Sequence, residues 1–242
     1  MEEMMKSSWA GVLFSAASAF AFYKRIYSNE KWLGWYISYR EKVNDRPQRP
    51  GFWGGRKRGI EQQIKQGMEI FIRNAPGSEG QTTVLYLHGS GYVMQPTVFH
   101  WRFFERMARE LQAEVVMPIY PKAPSHHFAE ALEKLTAFYQ ELTERKQTSK
   151  IVLVGDSSGG AVALALAQEA ARQHLPAPER LILISPLLDS SLRRPEIPEI
   201  EKIDLLQTRK VLRAFGEAWA GDEKLTQPGV SRWVRCLQLR YL

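Results

Sequence analysis

Ser157 stands in the run GDSSGG (155–160), which has the form G-x-S-x-G. A serine hydroxyl is a weak nucleophile until it is held in place and activated by a base. This spacing suits the holding. A sharp strand-to-helix turn strains the serine, and side chains at the flanking positions would strike the strand or the helix, so glycine is used there. The flanking sequence agrees, with the apolar run IVLVGD before the serine and AVALALA after it. A second run, HGSGYV (88–93), follows the apolar TTVLYL. Small residues in an irregular turn leave backbone N–H groups free to point at a developing oxyanion. The expected donors are Gly89 and Ser90, with Ser158 as a third at the positive end of its helix. The bland reading of HGSGYV is an ordinary strand-to-helix loop. His88, Gly91 and Tyr92 are placed beside the substrate, in a pocket that Ser157 shares with residues 88–92. His88 is read as bracing that loop through hydrogen bonds rather than as the base.

These residues need a frame. Four apolar runs, TTVLYLHG (82–89), EVVMPIYP (114–121), KIVLVGDS (150–157) and RLILISPL (180–187), are short, rich in Val, Ile and Leu, and bounded by Gly, Pro, Ser or Asp. They read as strands buried on both faces. Phe128, Ala131, Leu132, Leu135, Phe138, Tyr139 and Leu142 recur at helical spacing, so 128–142 is one amphipathic helix. Helices are also expected over 97–112 and 158–174, and a hairpin or two edge strands over 59–74. The fold class is α/β, a doubly wound and mostly parallel sheet. The stretch 44–58, NDRPQRPGFWGGRKR, reads as a Pro/Gly-rich connector. Ligands in such sheets bind where strands end and helices begin, which is where both motifs fall.

Composition narrows the classes. The chain has 242 residues, 44% of them hydrophobic and 24% charged, with a formal net charge of +7. That suits a globular domain and argues against disorder. The basic residues are scattered, so nucleic acid is not an expected partner. A single cysteine, Cys236, forms no intrachain disulfide and builds no zinc site. No metal and no cofactor is expected, since Walker A, HExxH and GxGxxG patterns are all missing. Ser7 to Tyr23 carries no charge and is followed by Lys24-Arg25, but it is diluted by serines and led by an acidic segment. A helix covering the core is the first reading, and a weak membrane association through residues 7–23 the second. Either leaves the main domain cytoplasmic.

HGSGYV, YPKAPSHHFAEALEKL (120–135), GDSSGG and ISPLLD (184–189) together resemble, in order and spacing, the hormone-sensitive-lipase-like branch of the α/β-hydrolase fold. The resemblance covers roughly residues 50–230. It implies a carboxylesterase or lipase for small-molecule esters of short or medium acyl chains, with Ser157 as nucleophile and Gly89, Ser90 and Ser158 as the oxyanion hole. It also implies a helical cap or anchor over residues 1–50 and the hydrolase domain over 51–242. Two departures stand out. Ser90 replaces the middle of three usual glycines, and Ser125-His126-His127-Phe128 replaces the usual Glu-His-Pro-Phe.

The family's triad runs serine, acid, histidine along the chain. After Ser157 only His174 remains, on the helix that Ser157 starts and roughly 25 Å away at 1.5 Å per residue. His100, His126 and His127 precede the serine, and Asp189, Asp204 and Asp222 are poorly placed as acids. SRWVRCLQLRYL (231–242) no longer resembles the family, so the sheet is expected to lack its last strands. The expectation is an impaired hydrolase with a sheet edge prone to self-association. The alternatives are a small-molecule binding protein that kept the fold and lost the histidine, and an unrelated α/β binding domain in which both motifs are accidental.

Overall fold

In the computed structural model, residues 29–46, 59–75, 82–145, 150–204, 207–223 and 225–226 are described. The stretch 7–23, most of the connector 44–58 and the tail 231–242 lie outside them. Six strands form one sheet: β1 (Ile60–Lys65), β2 (Met68–Arg73), β3 (Thr82–Leu87), β4 (Glu114–Ile119), β5 (Lys150–Asp156) and β6 (Arg180–Ile184). Their order is β1-β2-β4-β3-β5-β6. β4, β3, β5 and β6 run parallel, while β1–β2 and β2–β4 are antiparallel. Among the described residues six helices accompany them: α1 (Glu30–Val43), α2 (Val98–Leu111), α3 (Phe128–Thr143), α4 (Ser158–Arg172), α5 (Ile197–Ile203) and α6 (Arg209–Ala220).

The period-2 geometry of a strand sorts its side chains between two cores. Phe71, Val84, Tyr86, Val115, Met117 and Val154 face the side covered by α2, whose Trp101, Phe104, Met107 and Ala108 share one stripe. Their neighbours Ile70, Ile72, Leu85, Leu87, Val116 and Leu153 face the side covered by α3 and α4. Burial on both faces is why β3, β4 and β5 read as continuous apolar runs. The 59–74 segment is a hairpin around Gln66-Gly67, both with positive φ, as a two-residue turn demands. Of the hairpin's two strands only β1 is an edge strand, since β2 lies between β1 and β4. The solvated sequence IEQQIK suits that edge.

At the C-terminal end of β5 the chain turns sharply into α4, whereas loops separate β3 and β4 from their helices. α4 is buried along nearly its whole length. α1 crosses above the loop after β3. The Asn44 amide at its C-terminal end donates to the carbonyls of Val93 and Ala123, both at 2.9 Å. α6 covers the same loop, with Trp219 stacked on Tyr92 at 5.0 Å and Phe215 against Gly91.

Candidate active site

Ser157 joins β5 to α4 at φ 51° and ψ −122°, a conformation that costs a non-glycine residue about 1–3 kcal/mol. The surroundings hold it there. Its N–H donates to the carbonyl of Ile184 at 2.9 Å, and its carbonyl accepts from Leu187 at 2.9 Å and Gly160 at 3.1 Å. The flanking glycines are steric necessities. A Cβ on Gly155 would fall 2.4 Å from the Gly159 carbonyl oxygen, and one on Gly159 would fall 2.0 Å from that of Leu87. Ser157 Oγ has no hydrogen-bond partner among the described residues.

The loop after β3 is stitched to both sides of this serine. Before it, Asp156 Oδ1 accepts from Tyr86 Oη at 2.7 Å and from the Gly89 N–H at 3.0 Å. After it, Ser158 Oγ accepts from the Tyr92 N–H at 3.3 Å. Gly89 therefore departs from expectation: its N–H is spent on the Asp156 carboxylate and is not free for an oxyanion. Between the two stitches lie Ser90 (φ 103°) and Gly91 (φ 65°). Their N–H groups, and that of Ser158 at the first turn of α4, have no acceptor among the described residues. The loop approaches closely enough that a Cβ on Gly89 would lie 3.1 Å from Ser157 Cβ. Tyr92 is enclosed rather than open, with its ring under Trp219 and its hydroxyl donating to the Leu187 carbonyl at 3.3 Å.

Charge in this network is settled by its partners. Burial alone would raise the Asp156 carboxyl. Hydrogen bonds from His100, Tyr86 and the Gly89 N–H together hold it below the ordinary range. Burial, then Asp156, pushes the Tyr86 phenol far up, so it stays a donor. Asp156 is not among the site residues expected from the sequence. Its signal is the carboxylate itself, out of place at the end of a buried strand unless donors surround it.

Each histidine of the chain has a described position, and none hydrogen-bonds Ser157. His88 is fully buried, and its Nδ1 donates to the Gly89 carbonyl at 2.6 Å. Its Nε2 is left without a partner, and burial, then Lys122 and His100, keep the ring neutral. His88 thus braces the loop from beneath, backed by Tyr120, whose hydroxyl donates to the His88 carbonyl at 2.8 Å. It does not border an open substrate surface. His100 Nδ1 accepts from the Thr97 N–H at 2.9 Å, so its proton sits on Nε2, which faces Asp156 at 3.3 Å. His126 lies between Glu130 at 2.8 Å and Asp45 at 3.5 Å. His127 points at the Ala218 carbonyl at 3.3 Å. His174 lies beyond the C-terminal end of α4, exposed. Asp189 accepts from its own turn, from the N–H and Oγ of Ser191. No cluster of metal-ligating side chains occurs among the described residues.

A strained serine between a parallel strand and a buried helix, with a loop of free N–H groups against it, is the constellation on which comparison turns. A family model described as alpha/beta hydrolase fold matches residues 84–240. The chain belongs to that family. Within it, the hormone-sensitive-lipase branch is the one it resembles. A triacylglycerol lipase of Mycobacterium tuberculosis is 31% identical over 166 residues, 68% of this chain and 33% of the lipase. The hormone-sensitive lipase of Bos taurus is 26% identical over 172 residues, 67% of this chain and 22% of the enzyme. A solved structure of a candidate esterase from Staphylococcus aureus superposes with a TM-score of 0.78 at 28% identity, covering 84% of this chain and 69% of that one. The chain spans about a third or less of the length of the two lipases. As an α/β-hydrolase of the esterase/lipase group it has relatives that act on esters. No described helix is long and apolar enough to cross a membrane.

Proposed function

We propose that this chain is a serine hydrolase for carboxylic esters of short or medium acyl chains, working by acyl transfer through Ser157. The observation that carries the reading is the strained turn at Ser157, φ 51° and ψ −122°, packed against the loop after β3, whose Ser90 and Gly91 N–H groups have no acceptor among the described residues. Ser157 Oγ attacks the ester carbonyl carbon and passes its proton to solvent water, and the carbonyl oxygen becomes an oxyanion. The N–H groups of Ser90, Gly91 and Ser158 stabilise that charge, aided by the α4 dipole, while Gly89 anchors the loop through Asp156. Collapse expels the alcohol, which takes up a proton, and water then releases the acid from the acyl-enzyme. Fixing the loop at two points before substrate arrives is what makes such donors effective, since they need not reorganise during reaction.

The proton on Ser157 has no histidine to receive it. All five histidines of the chain are held by other groups or exposed away from the site. Absence of a triad member lowers kcat by about 10⁴–10⁶ and leaves the contribution of the oxyanion hole and of binding. This chain is therefore a slow hydrolase. The same absence favours a second reading, a hydrolase-fold protein that binds a small molecule without turning it over.

The deciding experiment treats the chain with a fluorophosphonate and maps the adduct by mass spectrometry, with p-nitrophenyl butyrate turnover measured alongside. A slow adduct on Ser157, absent in Ser157→Ala, together with low turnover lost in the same variant, is the expected result. Label confined to other residues overturns the nucleophile. Label at Ser157 with turnover identical to Ser157→Ala favours the binding protein.

A further inference from the structure

Helix α1 has two faces with different fates. Leu33, Tyr36, Ile37, Arg40 and Asn44 recur at helical spacing and turn toward the protein. Leu33 is buried, Tyr36 packs on Phe215, and Arg40 and Asn44 reach the Val93 carbonyl. Trp32, Trp35 and Tyr39 fall at i, i+3 and i+7 on a second face, roughly 120° around the axis at 100° per residue. They are 52%, 57% and 43% exposed. They form a row, with Trp32 edge-on to Trp35 at 5.7 Å and Trp35 stacked on Tyr39 at 5.5 Å. Three large aromatic side chains held in solvent along two turns are a cost without a partner.

The charges of the same helix are sorted around this row. Lys31 and Lys42 lie beside the aromatics on their outer flank, and neither is in an ion pair among the described residues. Glu30 and Glu41 lie on the far side, and Glu30 is occupied by Lys210 of α6 at 2.7 Å. Tryptophan and tyrosine, rather than leucine or isoleucine, are the residues that favour a lipid–water boundary, where the ring body is apolar and its N–H or O–H stays wet. Lysines beside them lay their stems on the apolar layer and raise their ammonium groups to the headgroups. Two further features select the occupant. The chain is positive overall, at +7. Immediately ahead of α1, the sequence carries Lys24-Arg25 and the uncharged run SSWAGVLFSAASAFAFY (7–23).

We propose that the Trp32–Trp35–Tyr39 face of α1, flanked by Lys31 and Lys42, docks this protein onto the surface of an anionic bilayer. The helix lies in the interface plane, with the aromatic row in the headgroup and acyl boundary and the lysines against lipid phosphates. α1 also sits above the loop that carries Ser90 and Gly91, through Tyr36 on Phe215 and Phe215 on Gly91. Docking on this face therefore brings the serine site to the lipid surface. The adsorption itself does not depend on ester turnover, so its test is separate from that of the hydrolase reading.

The test is flotation of the full chain with vesicles of phosphatidylglycerol and phosphatidylcholine in equal parts, beside vesicles of phosphatidylcholine alone. Three variants accompany it: Trp32→Ala/Trp35→Ala/Tyr39→Ala, Lys31→Glu/Lys42→Glu, and Glu30→Gln/Glu41→Gln as a control. Circular dichroism verifies that each is folded; the altered aromatics are exposed, so the core is untouched. The parent is expected to float with anionic vesicles and release at high salt. The aromatic and lysine variants are expected to lose about tenfold or more in partitioning, and the glutamate variant to keep it. Three results overturn the proposal: no flotation of the parent; flotation of the aromatic variant equal to the parent's, which assigns the binding to another segment; and, without lipid, a dimeric parent beside a monomeric aromatic variant, which assigns the face to a second copy of the chain.

Discussion

Lys122 is the side chain whose burial is hardest to account for by packing alone. It is 1% exposed, donates from Nζ to the Tyr120 carbonyl at 2.6 Å and sits 3.3 Å from the centroid of the Tyr120 ring. No carboxylate among the described residues pairs with it. Burial, and secondly the charge of Arg40, depress its ammonium well below the ordinary lysine range. The folded state thus binds fewer protons than the unfolded one between the folded value and about 10.4, so stability rises with pH across that window. The contribution is fully present above the unfolded value and lost as pH falls toward the folded one. Lys122→Met keeps the stem and removes the amine. It is expected to raise unfolding stability at pH 7 by about 1 kcal/mol and to flatten the rise between pH 7 and 10. Urea unfolding of both proteins at pH 7 and 9.5 measures this. A less stable methionine variant at pH 7 would mean that the hydrogen bond and ring contact outweigh the cost of desolvation.

Among the elements, the junction of β3, β5 and α4 sets the site. α4 begins so close to the end of β3 that Gly159 has no room for a methyl group: the Leu87 carbonyl oxygen lies 2.0 Å and the His88 carbonyl carbon 2.6 Å from its would-be Cβ. Both are backbone atoms and cannot swing aside as a flexible side chain would. Gly159→Ala must push α4 away from β3 and with it the N–H of Ser158. Overpacking of this kind costs up to about 3 kcal/mol. The expected outcome is a clear loss of stability in denaturant titration, together with loss of fluorophosphonate labelling at Ser157. A variant as stable and as reactive as the parent would show that the close approach is not required for the oxyanion geometry. α2 contributes to the same junction from the other face of the sheet, through the His100–Asp156 pair.

At the scale of the whole molecule, the two sides of the sheet end differently. At one edge β1 is polar and solvated. At the other, β6 pairs only with β5 among the described residues, and its Ile182 and Ile184 are 44% and 40% exposed. An apolar strand with an unpaired outer edge templates association with another copy. Purified protein is expected to show a concentration-dependent oligomer in sedimentation velocity, and Ile182→Lys/Ile184→Lys to stay monomeric over the same range. A parent that remains monomeric throughout would show that this edge is covered in solution.

The sequence by itself determined the sheet core and the strained turn at Ser157. Both rest on local constraints: a strand buried on two faces must be apolar throughout, as in TTVLYL and IVLVG, and a turn between two buried elements must have glycine wherever a Cβ would clash. The helix over 128–142 was legible for the same reason, since its periodicity is written in consecutive residues. Which N–H groups remain free was decided only in three dimensions. Gly89 and Gly91 look alike in HGSGYV. Gly89 donates to Asp156, 67 positions along the chain, while Gly91 has no such acceptor. The hydrogen-bonding of the five histidines was also invisible, because His100 on α2 finds Asp156 at the end of β5 and His126 finds Asp45 just past the end of α1. Side-chain pairing between elements depends on distances that chain spacing does not encode. The local pattern therefore located Ser157, and the tertiary structure alone decided what surrounds it.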